Sequence, residues 1–154
     1  YTEPMGQQWE LVEDSTKTVL GYECMLATCN YHGRQWSAWF SPEIPVSDGP
    51  WKLSGLPGLI LEAYVPNSNF RFIATGIENT NAVITPIYQA NTYANVDRKK
   101  ALREQQDFLN HLQERLSARS QGKVEVYITD EKGNRITMPK YEPKFAIEND
   151  YEEK

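Results

Sequence analysis

The stretch "GYECMLATCNYHGRQWSAWF", residues 21–40, decides the fold because its apolar and polar residues alternate. A period of two places successive side chains on opposite faces of a β-strand. Gly33 interrupts the pattern at the point where a tight turn favours a residue without a Cβ atom. The stretch therefore predicts two long antiparallel strands, about residues 19–31 and 34–41, joined by a hairpin turn.

Further strands are predicted on both sides of this hairpin. Apolar runs bounded by turn residues place them at residues 10–12, 59–65, 70–77 and 82–88, with a last hairpin at 123–138. The segment between this hairpin and the strand at 59–65, residues 41–51, contains three prolines. Proline excludes both a helix interior and a central strand, so this segment is predicted to be an extended connection.

The apolar period changes to that of a helix after Asn91. Asp97 is a suitable N-cap, Gly122 is a suitable stop, and leucines recur at helical spacing between them. We expect one long helix near residues 97–119, packed on the sheet. The predicted fold class is α+β, with a curved, mostly antiparallel sheet of about six to eight strands. A bowl-like half-barrel is the preferred shape, and a flatter sandwich is the alternative.

Length and charge limit the classes of function. The 154 residues indicate a single domain. Sixteen basic against 21 acidic residues give a net charge of −5, and acids follow the one basic cluster at residues 98–100. A nucleic-acid binder needs a clustered basic face, so we expect no nucleic-acid partner. No apolar run approaches the ~18 residues that a membrane-spanning helix needs, so no transmembrane segment is expected.

The cysteines and histidines form no pattern typical of a metal site. Cys24 and Cys29 on one strand would point to opposite faces about 16 Å apart, whereas a disulfide requires Cα atoms within ~7 Å. The favoured interpretation is two small buried side chains. His32 lies in the hairpin turn, and His111 follows Asp107 by four residues, where a helical ion pair or hydrogen bond is the better interpretation. We therefore predict neither a metal nor a cofactor.

The segment Gly55, Leu56, Pro57, Gly58 raises the question of chemistry because it precedes an apolar strand. A phosphate-binding loop would need a lysine and a following helix, and a nucleophile elbow would need the pattern G-x-S-x-G. Neither is present. The sequence instead favours a structural turn of type II, with Pro57 presetting φ and Gly58 adopting a positive φ. Gly55 would allow a further kink or a close backbone approach.

In combination, the motifs of residues 17–65 resemble the GLPGLI family of exported proteins of Gram-negative bacteria. GYxC, AWF, EIP and GPW occur in order and are followed by GLPGLI itself at residues 55–60. The resemblance implies one GLPGLI-type domain over residues 1–154 and a location in the periplasm or at the outer membrane. Typical members carry a signal peptide and further N-terminal strands, so we expect the sheet of residues 1–154 to be short of N-terminal strands. The family has no established activity, so the resemblance implies no chemistry.

Aromatic side chains near this signature are the candidate ligand-binding residues: Trp36, Trp39, Trp51 and Tyr64. Aromatic rings can stack on sugars or line a lipid groove, and they can equally fill a core. Because neighbouring strand residues alternate, Trp36 and Trp39 cannot both point into one core. At least one of them is expected outside it.

Two functions are open. We favour a non-enzymatic binding or assembly module whose partner is a lipid, a peptide or an envelope protein, with a homodimer through a sheet edge as a further possibility. The alternative is a hydrolase with carboxylates converging in the concave face, which two buried carboxyls of raised pKa would support. The candidate carboxylates are Glu43, Asp48, Glu62 and Glu78. Glu62 is expected to share a strand face with Ile60 and Tyr64, which makes it the one acid to check for burial. A solvated position is nevertheless the favoured interpretation.

Overall fold

The structure is a computed structural model that describes residues 1, 3, 6–83, 85, 94–121, 127–129, 132–136, 147, 148 and 150. The chain divides into two compact units. The sheet unit comprises Glu3–Ala94, and the helical unit comprises Asn95–Lys154 together with Tyr1–Thr2.

The sheet unit contains a five-stranded antiparallel sheet whose spatial order follows the chain order. Its strands are β1 Glu10–Val19, β2 Tyr22–Tyr31, β3 Arg34–Ser41, β4 Leu59–Tyr64 and β5 Arg71–Ile73. The predicted antiparallel meander is confirmed for these strands, but β1 is longer than the predicted 10–12 and β5 is shorter than the predicted 70–77. Over the described residues the sheet is not closed. The strand predicted at 82–88 lies largely outside the described residues. The bowl shape stays a prediction.

Two-residue turns connect the first three strands. Leu20 and Gly21 have φ angles of 51° and 86°, and His32 and Gly33 have φ angles of 51° and 79°. Two successive positive φ angles are typical of type I′ turns, whose twist matches that of the flanking strands. The turn predicted at Gly33 is confirmed. The continuous strand predicted over 19–31 is wrong at its start, because Gly21 turns the chain between β1 and β2.

The two faces of the sheet differ in character, and one of them forms the core. This core face carries a run of buried side chains from β2, β3 and β4: Ala27, Cys29, Trp36, Ala38, Phe40, Ile60 and Ala63. The Trp36 ring lies 5.6 Å from Trp51 in the proline-rich connection and 6.1 Å from Phe72 on β5. Trp39 points to the opposite face of the sheet, which confirms the prediction that Trp36 and Trp39 point to opposite faces. We call the face that carries Trp39 the open face.

Side chains of the N-terminal segment hold the connection in place. The Gln7 side chain donates from Nε2 to the Lys52 carbonyl at 2.8 Å and accepts from the Ser54 amide at 3.3 Å. The Trp9 indole donates to the Ser54 carbonyl at 2.7 Å. These bonds satisfy backbone groups that have no strand partner, which a loop packed on a core requires.

The two glycines of the Gly55–Gly58 segment have different roles. Gly55 has a positive φ of 93°, whereas Gly58 does not adopt the left-handed φ that a type II turn demands. The predicted type II turn is therefore wrong. A Cβ atom at Gly58 would lie 2.1 Å from the carbonyl oxygen of Ser41, the last residue of β3. A glycine is thus required at position 58 because the backbone there packs directly against the backbone of Ser41. The buried side chain of Leu56 anchors the same segment.

The helical unit contains α1 Arg98–Asn110, α2 Leu112–Arg119 and a small hairpin of β6 Ile128–Thr129 with β7 Arg135–Ile136. Asp97 is the N-cap and accepts from the Lys100 amide at 2.9 Å, as predicted. The hairpin lies within the range predicted for one. The docking of a helix on the sheet stays a prediction.

The single long helix predicted near 97–119 is wrong because the chain leaves helical geometry at His111. The φ and ψ angles of His111 are −113° and 19°. Its ring nitrogen Nδ1 lies 2.9 Å from the Asp107 carbonyl oxygen, so a side chain competes for a helical acceptor. The same ring lies 3.1 Å from the Asp107 carboxylate, which confirms the predicted pairing. Among the described residues, no helix combines the length and apolarity needed to cross a membrane.

The close approach at Gly58 generates the first prediction. We expect Gly58→Ala to lower the free energy of unfolding by about 3 kcal/mol or more, because the added Cβ overlaps a backbone carbonyl that cannot rotate away. Gly76→Ala is the matched control, since its added Cβ meets no atom within 4 Å. Its effect should stay below about 1 kcal/mol. Urea denaturation followed by tryptophan fluorescence measures both, and equal effects would contradict the packing role of Gly58.

Candidate functional site

Strand register brings the polar side chains of the open face together. Trp39 on β3 pairs with Glu62 on β4, and Tyr64 on β4 pairs with Arg71 on β5. Directly paired residues point to the same face, and so do residues two apart on one strand. These four side chains therefore share the open face, and the prediction that Glu62 and Tyr64 lie on one face is confirmed. Lys17 on β1 joins them from the other edge of the sheet.

A β-bulge in β4 directs Glu62 to this face. Trp39 pairs with Glu62 but Phe40 pairs with Ile60, which leaves Leu61 as an extra residue on β4. Trp39 and Phe40 point to opposite faces, so their partners do too. The prediction that Ile60 shares a face with Glu62 is therefore wrong, since a regular strand was assumed.

The centre of the open face is an ion cluster of Lys17, Glu62 and Arg71. Arg71 donates from its guanidinium to Glu62 Oε1 at 2.8 Å, and Lys17 donates from Nζ to the second oxygen, Oε2. The Glu62 side chain is only 6% exposed, against 32% for Lys17 and 58% for Arg71. The prediction that Glu62 is solvated is wrong, because two cations satisfy a carboxylate that water otherwise would.

The balance of forces on the Glu62 carboxyl favours its ionised form. Burial raises its pKa, but the hydrogen bonds from Lys17 and Arg71 and their positive charges outweigh burial and leave the pKa below its ordinary value. An ionised carboxylate can accept hydrogen bonds but has no proton to donate. Glu62 is therefore suited to holding cations and hydroxyl groups, and unsuited to general acid catalysis at neutral pH.

The ion cluster lies in an open depression of about 570 Å³. Its lining residues are Lys17, Trp39, Glu62, Tyr64, Val65, Pro66, Asn67, Ser68 and Arg71. Lys17 Nζ lies 4.7 Å from the centre of the Trp39 ring, so a cation–π contact helps to fix the ammonium group. The volume falls in the range of about 300–1,000 Å³ that is typical of small-molecule sites.

The turn at the rim of this depression is held by its own serine. Ser68 Oγ donates to the Val65 carbonyl at 2.9 Å and accepts from the Phe70 amide at 3.1 Å. Asn67 between them has a φ of 58°, a left-handed conformation that asparagine tolerates better than most residues. The rim thus presents the amide of Asn67 on a defined backbone.

The sheet separates the four predicted aromatic residues into two pairs. Trp39 and Tyr64 line the open-face depression. Trp36 and Trp51 pack against each other with tilted rings at the core face, and Trp36 is completely buried there. Trp36 is therefore a packing residue, with no surface for a ligand to contact.

The other candidate carboxylates lie outside this site. Glu43 accepts from the Glu23 amide at 2.8 Å, Asp48 accepts from the Gly49 amide at 2.8 Å, and Glu78 is exposed. None of them lines the depression, so the structure does not bring the four predicted carboxylates together.

The two cysteines are buried and unpaired with each other, as predicted. Burial raises the pKa of the Cys29 thiol to about 12, and burial likewise raises that of Cys24. Both thiols are therefore protonated at neutral pH, and the thiolate form that makes a cysteine nucleophilic is suppressed.

Comparison with known proteins identifies a similarity within the sheet unit. A family model described as a protein of unknown function (Porph_ging) matches residues 31–62. The matched segment runs from the end of β2, through β3 and the proline-rich connection, to Glu62 on β4. No curated protein and no solved structure matches the chain. The similarity covers the backbone that places Trp39 and Glu62, and its description assigns no activity.

The lowered pKa of Glu62 generates the second prediction. A carboxyl whose pKa is lower in the folded than in the unfolded state stabilises the fold above its ordinary value, here 4.5, and loses that contribution as the pH falls through the folded value. Glu62→Gln should therefore cost about 1–3 kcal/mol of unfolding free energy at pH 7. The difference from the native chain should shrink steadily as the pH is lowered from 5 to 3.

Urea denaturation at a series of pH values measures this difference. Glu78→Gln is the matched control because Glu78 is exposed, and its difference from the native chain should be small at every pH. If the loss of unfolding free energy in Glu62→Gln is the same at every pH, the ion cluster does not stabilise the ionised form of Glu62.

Proposed function

We propose that this chain is a non-enzymatic binding module that takes a small anionic ligand in the open-face depression. The observation that carries the proposal is the ion cluster, in which two cations surround one buried carboxylate beside aromatic rings. We further propose that the protein acts after export, in the periplasm or at the outer membrane. The resemblance of residues 17–65 to the GLPGLI family supports that location.

The charge of the cluster favours an anion. Lys17 and Arg71 contribute two positive charges and Glu62 one negative charge, so the cluster carries an excess of one positive charge. A guanidinium has five N–H donors in a fixed fork, and Arg71 uses one of them in its bond to Glu62. With more than half of its side chain exposed, Arg71 can offer further donors to a carboxylate, sulfate or phosphate group.

The reach of Lys17 supports a concave open face. β1 and β4 are separated by β2 and β3, and three strand spacings of a flat sheet would span about 14 Å. Lys17 on β1 nevertheless bonds directly to Glu62 on β4. A sheet that bends toward the open face would bring the two side chains within reach, so this contact supports the proposed bowl-like curvature.

The chemistry of Glu62 favours binding over hydrolysis. A glycosidase of the usual kind needs two carboxyl groups about 5–10 Å apart, one of them able to donate a proton. Both Glu62 oxygens are engaged by cations, and its pKa is lowered rather than raised. Among the described residues that line the depression, Glu62 is the sole carboxylate. The hydrolase is therefore the weaker candidate.

A homodimer through β1 is also a weaker candidate. Between its pairs Leu11↔Ala27 and Thr16↔Met25, β1 advances five residues while β2 advances two, so three extra residues bulge from this edge. The bulge includes Glu13 and Asp14. Bulges and charged side chains are devices that protect a sheet edge from pairing with another chain.

A titration with naphthalene-2-sulfonate tests the proposed function, because this probe combines one anionic group with a flat ring. The Trp39 indole N–H signal in a ¹H–¹⁵N NMR spectrum should shift with saturation, while that of the buried Trp36 should not. A Trp39→Phe spectrum assigns the signal. Arg71→Gln should raise the Kd about tenfold or more, the value of a hydrogen bond to a charged group.

Lys99→Gln is the matched control for this titration. It removes the same charge from an exposed lysine on α1, and the Kd should stay within about twofold of the native value. No saturable shift of Trp39, or equal losses in Arg71→Gln and Lys99→Gln, would contradict an anion site at the ion cluster.

A further inference from the structure

We infer that the ligand of the open-face depression is an acidic sugar, a hydroxylated ring that carries a carboxylate. The inference rests on the proposed binding function and narrows its ligand. It follows from three features that adjoin one another in the depression: an ionised carboxylate, a cation and an aromatic ring.

The carboxylate of Glu62 selects against a bare anion. A phosphate or sulfate ion in the depression would meet Arg71 and Lys17 but would also face the negative charge of Glu62. An ionised carboxylate only accepts hydrogen bonds, and its two oxygens together offer about four acceptor positions. Lys17 and Arg71 fill one on each oxygen. A ligand that places hydroxyl groups next to its own anionic group can donate to the positions that are left.

Tyr64 supplies an aromatic surface beside the cation. Tyr64 and Arg71 form a direct cross-strand pair, and such pairs have Cβ atoms about 4.5–5.5 Å apart. This spacing is close to the width of a six-membered ring. A sugar lying on the Tyr64 ring would therefore direct an exocyclic carboxylate toward Arg71. Trp39 is less available for stacking, because Lys17 lies over its ring.

Asn67 completes the complement of sugar-binding groups at the rim. Its side-chain amide combines two donors with an acceptor, the combination that neighbouring sugar hydroxyls match. The bonds of Ser68 to Val65 and Phe70 hold the turn that presents it. Aromatic ring, guanidinium, carboxylate and amide thus surround one depression of a size suited to a monosaccharide or disaccharide unit.

Three probes of matched size test the inference. Methyl β-D-glucuronide has both hydroxyl groups and a carboxylate, methyl β-D-glucoside lacks the carboxylate, and cyclohexanecarboxylate lacks the hydroxyl groups. Each is titrated into the native chain with the Trp39 indole signal as readout. We expect the glucuronide to bind with a Kd at least tenfold lower than that of either other probe.

Two pairs of variants locate the contacts. Tyr64→Phe keeps the ring and should leave glucuronide binding within about twofold, whereas Tyr64→Leu should weaken it at least fivefold. In Glu62→Gln, the Kd of cyclohexanecarboxylate should move closer to the Kd of the glucuronide. The neutral amide no longer repels the carboxylate of a probe that has no hydroxyl groups to donate. A folding defect in Glu62→Gln would leave the Tyr64 pair as the deciding comparison.

The outcomes separate this inference from the proposed function. If cyclohexanecarboxylate binds as tightly as the glucuronide, the acidic-sugar inference is overturned, while an anion site at Arg71 stands. If the glucoside binds as tightly as the glucuronide, or if no anionic probe moves the Trp39 signal, both fall. Equal binding by Tyr64→Phe and Tyr64→Leu would overturn the stacking role.

Discussion

The bond between Glu62 and its two cations is the interaction on which the open face of the sheet depends. Glu62 lies on β4, and its partners lie on β5 beside it and on β1 at the opposite edge. One carboxylate therefore connects the two outer strands across the open face. A charge buried to this extent is unfavourable unless it is paired, so the cluster also constrains which sequences can form this face.

The same interaction accounts for the chemical character of the site. Because the cations keep Glu62 ionised, it holds and orients Arg71 and offers acceptors, and it does not supply protons. The aromatic side chains divide accordingly. Trp36 and Trp51 build the core on one side of the sheet, and Trp39 and Tyr64 accompany the charges on the other.

The sequence predicted the local features of the fold. Alternation located β2 and β3, Gly33 located their turn, and the parity of Trp36 and Trp39 assigned them to opposite faces. The alternation of apolar and polar residues did not predict features that depend on contacts between segments far apart in the sequence. The extra residue Leu61 places Ile60 and Glu62 on opposite faces, where a regular strand would place them on the same one. The hydrophobic pattern of so short a strand does not reveal this bulge.

The role of Gly58 and the cationic partners of Glu62 were missed for a related reason. Gly58 is needed because the end of β3 passes close to it, not because of its own φ angle. Lys17 is 45 residues from Glu62 in sequence and lies beyond the strand predicted at residues 10–12. Nothing in the pattern around Arg71 on β5 distinguishes it from other exposed strand residues. An acid amid apolar strand residues was the available signal, and it identified Glu62 as a residue to test for burial without naming its partners.

A double-mutant cycle between Lys17 and Glu62 tests the central claim most directly. Unfolding free energies are measured at pH 7 for the native chain, Lys17→Met, Glu62→Gln and the double variant. If the bond connects β1 to β4 as described, the two substitutions should be coupled by about 1–3 kcal/mol, the double variant losing less than the sum of the single ones. Additive losses, with a coupling energy near zero, would contradict the account.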